Sequence, residues 1–294
     1  MPLSAALVTS AAIAFGRFTA PAVEKEEPDV LALPAPGVAK LMSLGFENFA
    51  ADLYFIQAVQ HFGNPYNNKI HYPYLFPLLD LVSELDPEFS DPLLWGGVAL
   101  QKNLGRETWI NTAESTRILR KGAERFPKEW RFLLFLAYNL ATFHHDFRGA
   151  AAALEKILPL PDRPEYVPGL ITRMYSSAGD LGTAQAFAQA MAQENDADPA
   201  LRELMSDRLT DIETERVLRQ LDALGEQFHT QLGRWPVHPQ ELVLQGLLVA
   251  LPQEPRGGEW LFDDVDKVFL STRMHKRLQV FKFRRGSGFP EARQ

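Results

Sequence analysis

Few residues in this chain have the types and spacings that covalent or metal chemistry needs. His144-His145-Asp146 is the one local group with the composition of a ligand set, yet adjacent histidines at a helix end point in different directions and rarely hold one ion. The remaining histidines, His61, His71, His229, His238 and His275, are scattered, with no His-x-x-x-His or His-Glu pair on a helix face. Without cysteine there is no disulfide framework, thiolate metal site, covalent c-type haem or acylated-Cys anchor. No glycine-rich loop ends in Lys-Ser or Lys-Thr, and Gly179-Asp180-Leu181-Gly182 reads as a turn between helices. The serines lack a nucleophile-elbow context, and no acidic pair is brought together by spacing. The expectation is a protein without catalytic, metal or cofactor residues, whose chemistry is recognition.

The elements that would position such a surface are those of a globular chain. Its 294 residues, 46% hydrophobic and 23% charged, suffice for a sizeable core and exclude wholesale disorder and a multi-span membrane protein. A formal net charge of −7 argues against a chain-wide nucleic-acid surface, which needs a strong positive field. That charge is unevenly spread. From Lys267 to Gln294 eight Lys or Arg face one acid, Glu291, so this end carries +7 and the rest of the chain −14. Such a basic end either docks on anionic lipid or an acidic partner, or neutralises its own domain. At the other end, Leu3 to Phe15 is an apolar run with no charge before Arg17, followed by Ala20-Pro21-Ala22 and a polar, Pro-rich stretch. Too short for the roughly 20 residues of a spanning helix, it fits a signal-peptide core or an N-terminal membrane anchor over residues 1–22, with a linker over 23–44. A buried or frayed first helix is the alternative, and a cytoplasmic protein would follow from it.

Between these ends the chain repeats. Two segments superimpose at a spacing of 34 residues: Ala137 with Ile171, Ala141 with Tyr175, Phe147 with Leu181, Ala150 with Ala184, Leu154 with Ala188, and Ile157 with Met191. Each reads as helix, turn, helix, and Gly179 suits a left-handed helix end. Pro87, Pro127, Pro161 and Pro199 follow successive second helices at spacings of 40, 34 and 38. This pattern resembles the tetratricopeptide repeat family, with Ala150 and Ala184 at its crossing position. The resemblance covers residues 45–197 and implies a mainly α fold, a solenoid of helical hairpins. Phe46 to His61, with Phe46, Phe49, Leu53, Ile56 and Gln60 on one face, would be the first helix of an early repeat, and Leu75 to Pro87 its second. The connection from Asn64 to Tyr72 is longer than the family's short turn.

Asp198-Pro199 opens a long amphipathic capping helix over 198–232, with an apolar stripe from Leu201 to Phe228. Residues 233–294 then order Trp235-Pro236, Glu241-Leu242, and Leu251-Pro252-Gln253-Glu254-Pro255-Arg256-Gly257-Gly258. This order is similar to the C-terminal part of type II secretion pseudopilins and implies a small α+β module in which Trp235 and Trp260 are buried. Glu254 stands where that family usually has Asp, and Arg256 where Trp is frequent. No Gly-Phe-Thr-Leu-x-Glu processing motif is present, so the chain does not read as a filament subunit. Alternating apolar residues over 267–270 and 279–283 predict two or three strands.

In the repeat family the first helices line a concave groove. The resemblance places Phe132, Phe135, Asn139 and Phe143 of one unit there, and Tyr166, Leu170 and Arg173 of the next, with Asn139 and Arg173 separated by 34 residues. The family's lysine-rich carboxylate clamp is absent. The expectation is a non-enzymatic scaffold or adaptor that binds a protein partner through this groove, anchored at the bacterial inner membrane or in the periplasm. A permanent accessory subunit of a membrane or secretion complex is the first rival. A cell-envelope hydrolase is the second, and it requires a deep pocket with convergent polar groups.

Overall fold

A computed structural model describes residues 32–105, 108–193, 199–274 and 277–278. The apolar N-terminal run, Asp198 and the proposed strand over 279–283 lie outside these residues. The fold is mainly α, and the chain divides into two compact units, residues 1–88 and 89–294.

In the first unit, α1 (Pro36–Met42), α2 (Glu47–Gly63), the single-turn α3 (Pro65–Lys69) and α4 (Leu75–Leu85) surround a small core. Leu75, Leu78, Leu79, Val82 and Leu85 of α4 are buried, and α2 meets them with Ala51, Ala58 and His61. The connection from Asn64 to Tyr72 is built around α3: the Asn64 side chain accepts from the Tyr66 amide at its start, and His71 and Tyr72 adopt positive φ after it. Sequence periodicity had the wrong face of α2 inside. Phe46, Phe49, Leu53 and Ile56 are 70, 62, 48 and 52% exposed. Apolar residues surround this helix, so periodicity cannot rank its faces, and the small side chains allow the closer approach to α4.

The second unit is a run of helices that each pack on the next: α5 (Asp91–Ala99), α6 (Thr112–Arg125), α7 (Trp130–Thr142), α8 (Phe147–Glu155), α9 (Val167–Ser177), α10 (Leu181–Gln193) and α11 (Pro199–Leu232). A two-stranded hairpin, β1 (Lys102–Asn103) with β2 (Trp109–Ile110), is inserted between α5 and α6. The 34-residue spacing has a backbone origin. Asn111, His145 and Gly179 all adopt positive φ, +57°, +53° and +83°; Asn111 is the N-cap of α6, and His145 and Gly179 immediately precede the capping residues of α8 and α10. Asp146 and Asp180 then cap α8 and α10 by accepting from the amides of Gly149 and Thr183. Thr116, Ala150 and Ala184 follow in the same register, and each is buried.

The long helix α11 carries the chain's last elements. The short α12 (Gln240–Leu244) and the antiparallel pair β3 (Trp260–Asp263) and β4 (Val268–Ser271) share a core with α10 and α11 that includes Ala184, Leu218, Leu221, Phe228, Leu242 and Phe269. Trp260 is buried and its indole donates to the Pro252 carbonyl at 2.7 Å, whereas Trp235 is only half-buried, stacked on His229 at 4.5 Å. The two departures from the pseudopilin pattern have structural partners. Glu254 is buried and accepts from the amides of Arg256 and Gly258 and from the Ser271 hydroxyl, tying the Pro-Gly loop to β4. Arg256 reaches α11 and pairs with Asp211 at 2.8 Å. Gly258 is obligatory there, because a Cβ would lie 2.6 Å from Arg273 Cγ and 2.7 Å from Thr272 Oγ1.

An ion cluster closes this core. Glu215 of α11 is fully buried and accepts from Nε and Nη2 along one edge of the Arg277 guanidinium, at 2.8 and 3.0 Å, from Arg219 at 3.1 Å, and from the Leu278 amide. Arg277 also donates to Asp222 at 2.9 Å, and Asp222 accepts from the Phe269 amide. Burial raises the pKa of Glu215, but Arg277 and Arg219 outweigh it and leave the carboxyl below its ordinary value near 4.5. At Asp222 burial prevails over Arg277 and the value is raised. Part of the basic C-terminal charge is therefore spent on the acids of its own unit.

Two outcomes follow. Ala150→Leu or Ala184→Leu should overpack the helix crossing and cost about 1–3 kcal/mol, read from denaturant midpoints, and unchanged midpoints would reject the register. Because Glu215 is depressed in the folded state, its contribution is present above about pH 4.5 and lost as pH falls through the folded value. Glu215→Gln should therefore destabilise at neutral pH, and its deficit relative to wild type should shrink from about pH 5 downward. A deficit constant with pH would show that folding leaves the Glu215 pKa unchanged, and would reject the depression.

Candidate functional site

The second unit carries an open cleft of about 570 Å³ across α5, α7 and α9. Val98 of α5 and Leu134, Phe135 and Tyr138 of α7 form one wall, with Leu154 of α8 behind them. Leu170, Arg173 and Met174 of α9 form the other, and Tyr166 stands at the entrance to that helix. The lining is dominated by carbon. Tyr138 and Tyr166 are 52 and 53% exposed, and Tyr138 continues into an aromatic ledge through Phe143, 5.9 Å away, which in turn meets Trp109 of β2 at 5.2 Å.

Of the seven residues placed in the groove by sequence, Phe135, Tyr166, Leu170 and Arg173 line this cleft. Phe143 lies beside it in the ledge. Phe132 and Asn139 are corrections, since both are fully buried. Phe132 stacks on Phe126 and lies over Gly122, where an added Cβ would meet its ring at 2.2 Å. Asn139 is the hub of a polar network that joins three helices: its carbonyl accepts from Gln101 at 2.8 Å, and its amide donates to Ser115 at 2.7 Å and to Thr116 at 3.3 Å. Ser115 in turn donates to the Gly97 carbonyl, and Thr116 lies 2.9 Å from His144 Nε2.

The error has a simple geometry. The cleft-lining residues of α7 include Leu134, Tyr138 and Thr142, each next to a residue that is not in the lining or was expected there instead, and one residue is a rotation of roughly 100° about a helix. Leu134 and Tyr138 were missed for this reason, although Tyr138 sits three residues after Phe135 and so shares its face. Gln101 supplies the polar floor, its amide fixed by the Gly97 carbonyl, Ser115 and Asn139.

Arg173 is the cleft's one charged side chain. Half-buried on an apolar wall, it makes no hydrogen bond or ion pair with the described residues. Glu155, at the end of α8, is engaged elsewhere: it accepts from the Tyr175 hydroxyl at 2.7 Å, and burial together with this carboxylate pushes Tyr175 up to about 12. Among the described residues no three His, Asp or Glu side chains gather as metal ligands, and no helix is long and apolar enough to cross a membrane. The cleft's chemistry is that of a binding surface: apolar area, aromatic edges and one guanidinium.

Removing Asn139 should act on stability. Asn139→Ala removes one buried partner each from Gln101, Ser115 and Thr116 and should cost about 1–3 kcal/mol by denaturant unfolding. A variant as stable as wild type would mean that water replaces the amide without penalty.

No family model matches the chain, and neither the curated proteins nor the solved structures contain a match to it.

Proposed function

We propose that this protein is a non-enzymatic scaffold or adaptor that binds another protein through the cleft across α5, α7 and α9. In this reading the helical hairpins are tetratricopeptide-like repeats, and residues 233–294 are a pseudopilin-like module with α11 as the connecting cap. The reading rests on one observation: an open, carbon-lined cleft with aromatic edges that includes an arginine without a polar partner among the described residues. Interfaces draw most of their binding energy from such aromatic and arginine groups. The cell envelope is the proposed location, on the strength of the apolar run Leu3 to Phe15.

A second reading, a permanent subunit of a membrane complex, is favoured by the exposed row on the first unit. Leu41, Met42 and Leu44 are 76, 69 and 82% exposed and extend the apolar residues Phe46, Phe49, Leu53 and Ile56. Monomers seldom leave so many large apolar side chains contiguous in sequence and uncovered. A permanent subunit should aggregate when produced alone, whereas an adaptor should remain monodisperse.

A photo-crosslinking residue at Tyr166 should capture a defined partner, and one at Glu124, exposed on α6, should not. Tyr138→Ala should weaken that capture roughly fivefold or more, because truncating an interface aromatic typically costs above about 1 kcal/mol. Tyr138 is largely exposed, so thermal stability should hold. Equal capture from Glu124 would reject the cleft as the binding surface.

A further inference from the structure

We propose that the segment recognised by the cleft is an extended stretch of the partner in which a bulky apolar side chain stands next to an acidic one. The apolar group fills the space between α7 and α9, and the carboxylate pairs with Arg173. This rests on reading the cleft as a protein-binding site, and it adds the chemistry of what enters.

The charge argument is the sharper one. Arg131, Arg148, Arg208, Arg219, Arg256 and Arg277 each reach an acidic side chain. Arg173 reaches none among the described residues, and its own helix, α9, carries no acid at all from Val167 to Ser177. Arg120, Arg163 and Arg273 also lack an ion pair there, but Arg120 and Arg273 are exposed to water and Arg163 donates to the Leu158 carbonyl at 2.8 Å, whereas Arg173, half-buried beside Leu170 and Met174, has neither. A guanidinium on such a wall has lost part of its hydration, and a ligand carboxylate restores it through two parallel N–H···O bonds. The cleft lining holds no second Lys or Arg, so a single negative charge is matched better than a phosphate dianion.

The volume argument sets the other half. A cleft of about 570 Å³ lies within the roughly 300–1,000 Å³ typical of pockets that enclose ligands, so it takes a Phe, Trp or Leu side chain with room to spare. Val98, Leu134, Phe135 and Leu154 offer that side chain no polar group to desolvate. The aromatic ledge from Tyr138 through Phe143 to Trp109 extends the surface beyond the pocket, as an extended chain uses and a compact amphiphile does not.

The experiment is a selection of random dodecapeptides displayed on phage against the full chain, followed by fluorescence polarisation with the enriched peptides. The expected result is enrichment of sequences with Phe, Trp or Leu adjacent to Asp or Glu. Changing that acid to its amide should weaken binding to wild type about tenfold, and should change binding to Arg173→Gln little, the signature of a direct pair. Arg173→Glu should bind a peptide carrying Lys at the acidic position better than the original peptide, which a misfolded variant would not do. Enrichment of apolar peptides without an acid, bound equally by Arg173→Gln, would overturn this inference and leave the protein-binding reading standing. No enriched sequence, together with binding of dodecanoate that Arg173→Gln abolishes, would overturn both in favour of a free acyl carboxylate.

Discussion

The close approach of consecutive helices at Thr116, Ala150 and Ala184 is the constraint from which the rest of the larger unit follows. Each of these residues is buried, and each sits five residues after a backbone position with positive φ. A large side chain at any of them would hold the helices apart and open gaps that the neighbouring Leu, Ile and Phe side chains could not fill, because interiors are packed as tightly as organic crystals. α5 then lies beside α7 and α9 beside α11, and residues of α5, α7 and α9 form the walls of the cleft. The cleft exists because the crossings behind it are tight.

Buried polar groups fix how the helices are rotated once they are close. Asn139 is linked to Gln101, Ser115 and Thr116, so α7 must present this face to α5 and α6, and Leu134, Phe135 and Tyr138 are consequently turned into the cleft. Apolar packing alone would tolerate a helix turned by a fraction of its period. A hydrogen-bonded amide does not, since any other rotation would leave its donors and acceptors buried without partners. Glu215 plays the corresponding part at the far end of the unit, where Arg277 and Leu278 are bound to it and the β3–β4 pair is held on α11.

This division between packing and polar registration explains what could be read from the sequence. Ala150 with Ala184, Gly179, and the long stripe of α11 were legible because each depends on residue size or local backbone conformation, which a single position declares. The first helices were not. The period carried from Arg173 back to Asn139 assigns both to the groove, but α7 and α9 begin at Trp130 and Val167, 37 residues apart, while α8 and α10 begin at Phe147 and Leu181, 34 apart. The extra three residues shift the first helices relative to the repeat, and Asn139 turns inward. Glu215 was hidden for another reason. It is one acid among many on α11, and only the chain's return as far as Arg277 distinguishes it from Glu213, which stays at the surface.

Departure from a family pattern was itself informative in the C-terminal segment. A glutamate at 254 has one methylene more than the usual aspartate, and its carboxylate spans from the amides of Arg256 and Gly258 to the hydroxyl of Ser271. In place of an aromatic side chain, Arg256 carries a charge to Asp207 and Asp211 of α11. The loop is thus fastened to the helix by ion pairs, where a tryptophan would have done so by burial. Ion pairs at partly exposed positions hold geometry more than they add stability, so the module's cohesion must come chiefly from Trp260, Phe269 and Leu242 beneath them. The two ends of the unit differ: at the C-terminal module every described arginine other than Arg273 is matched by an acid, while Arg173 in the cleft meets none among the described residues.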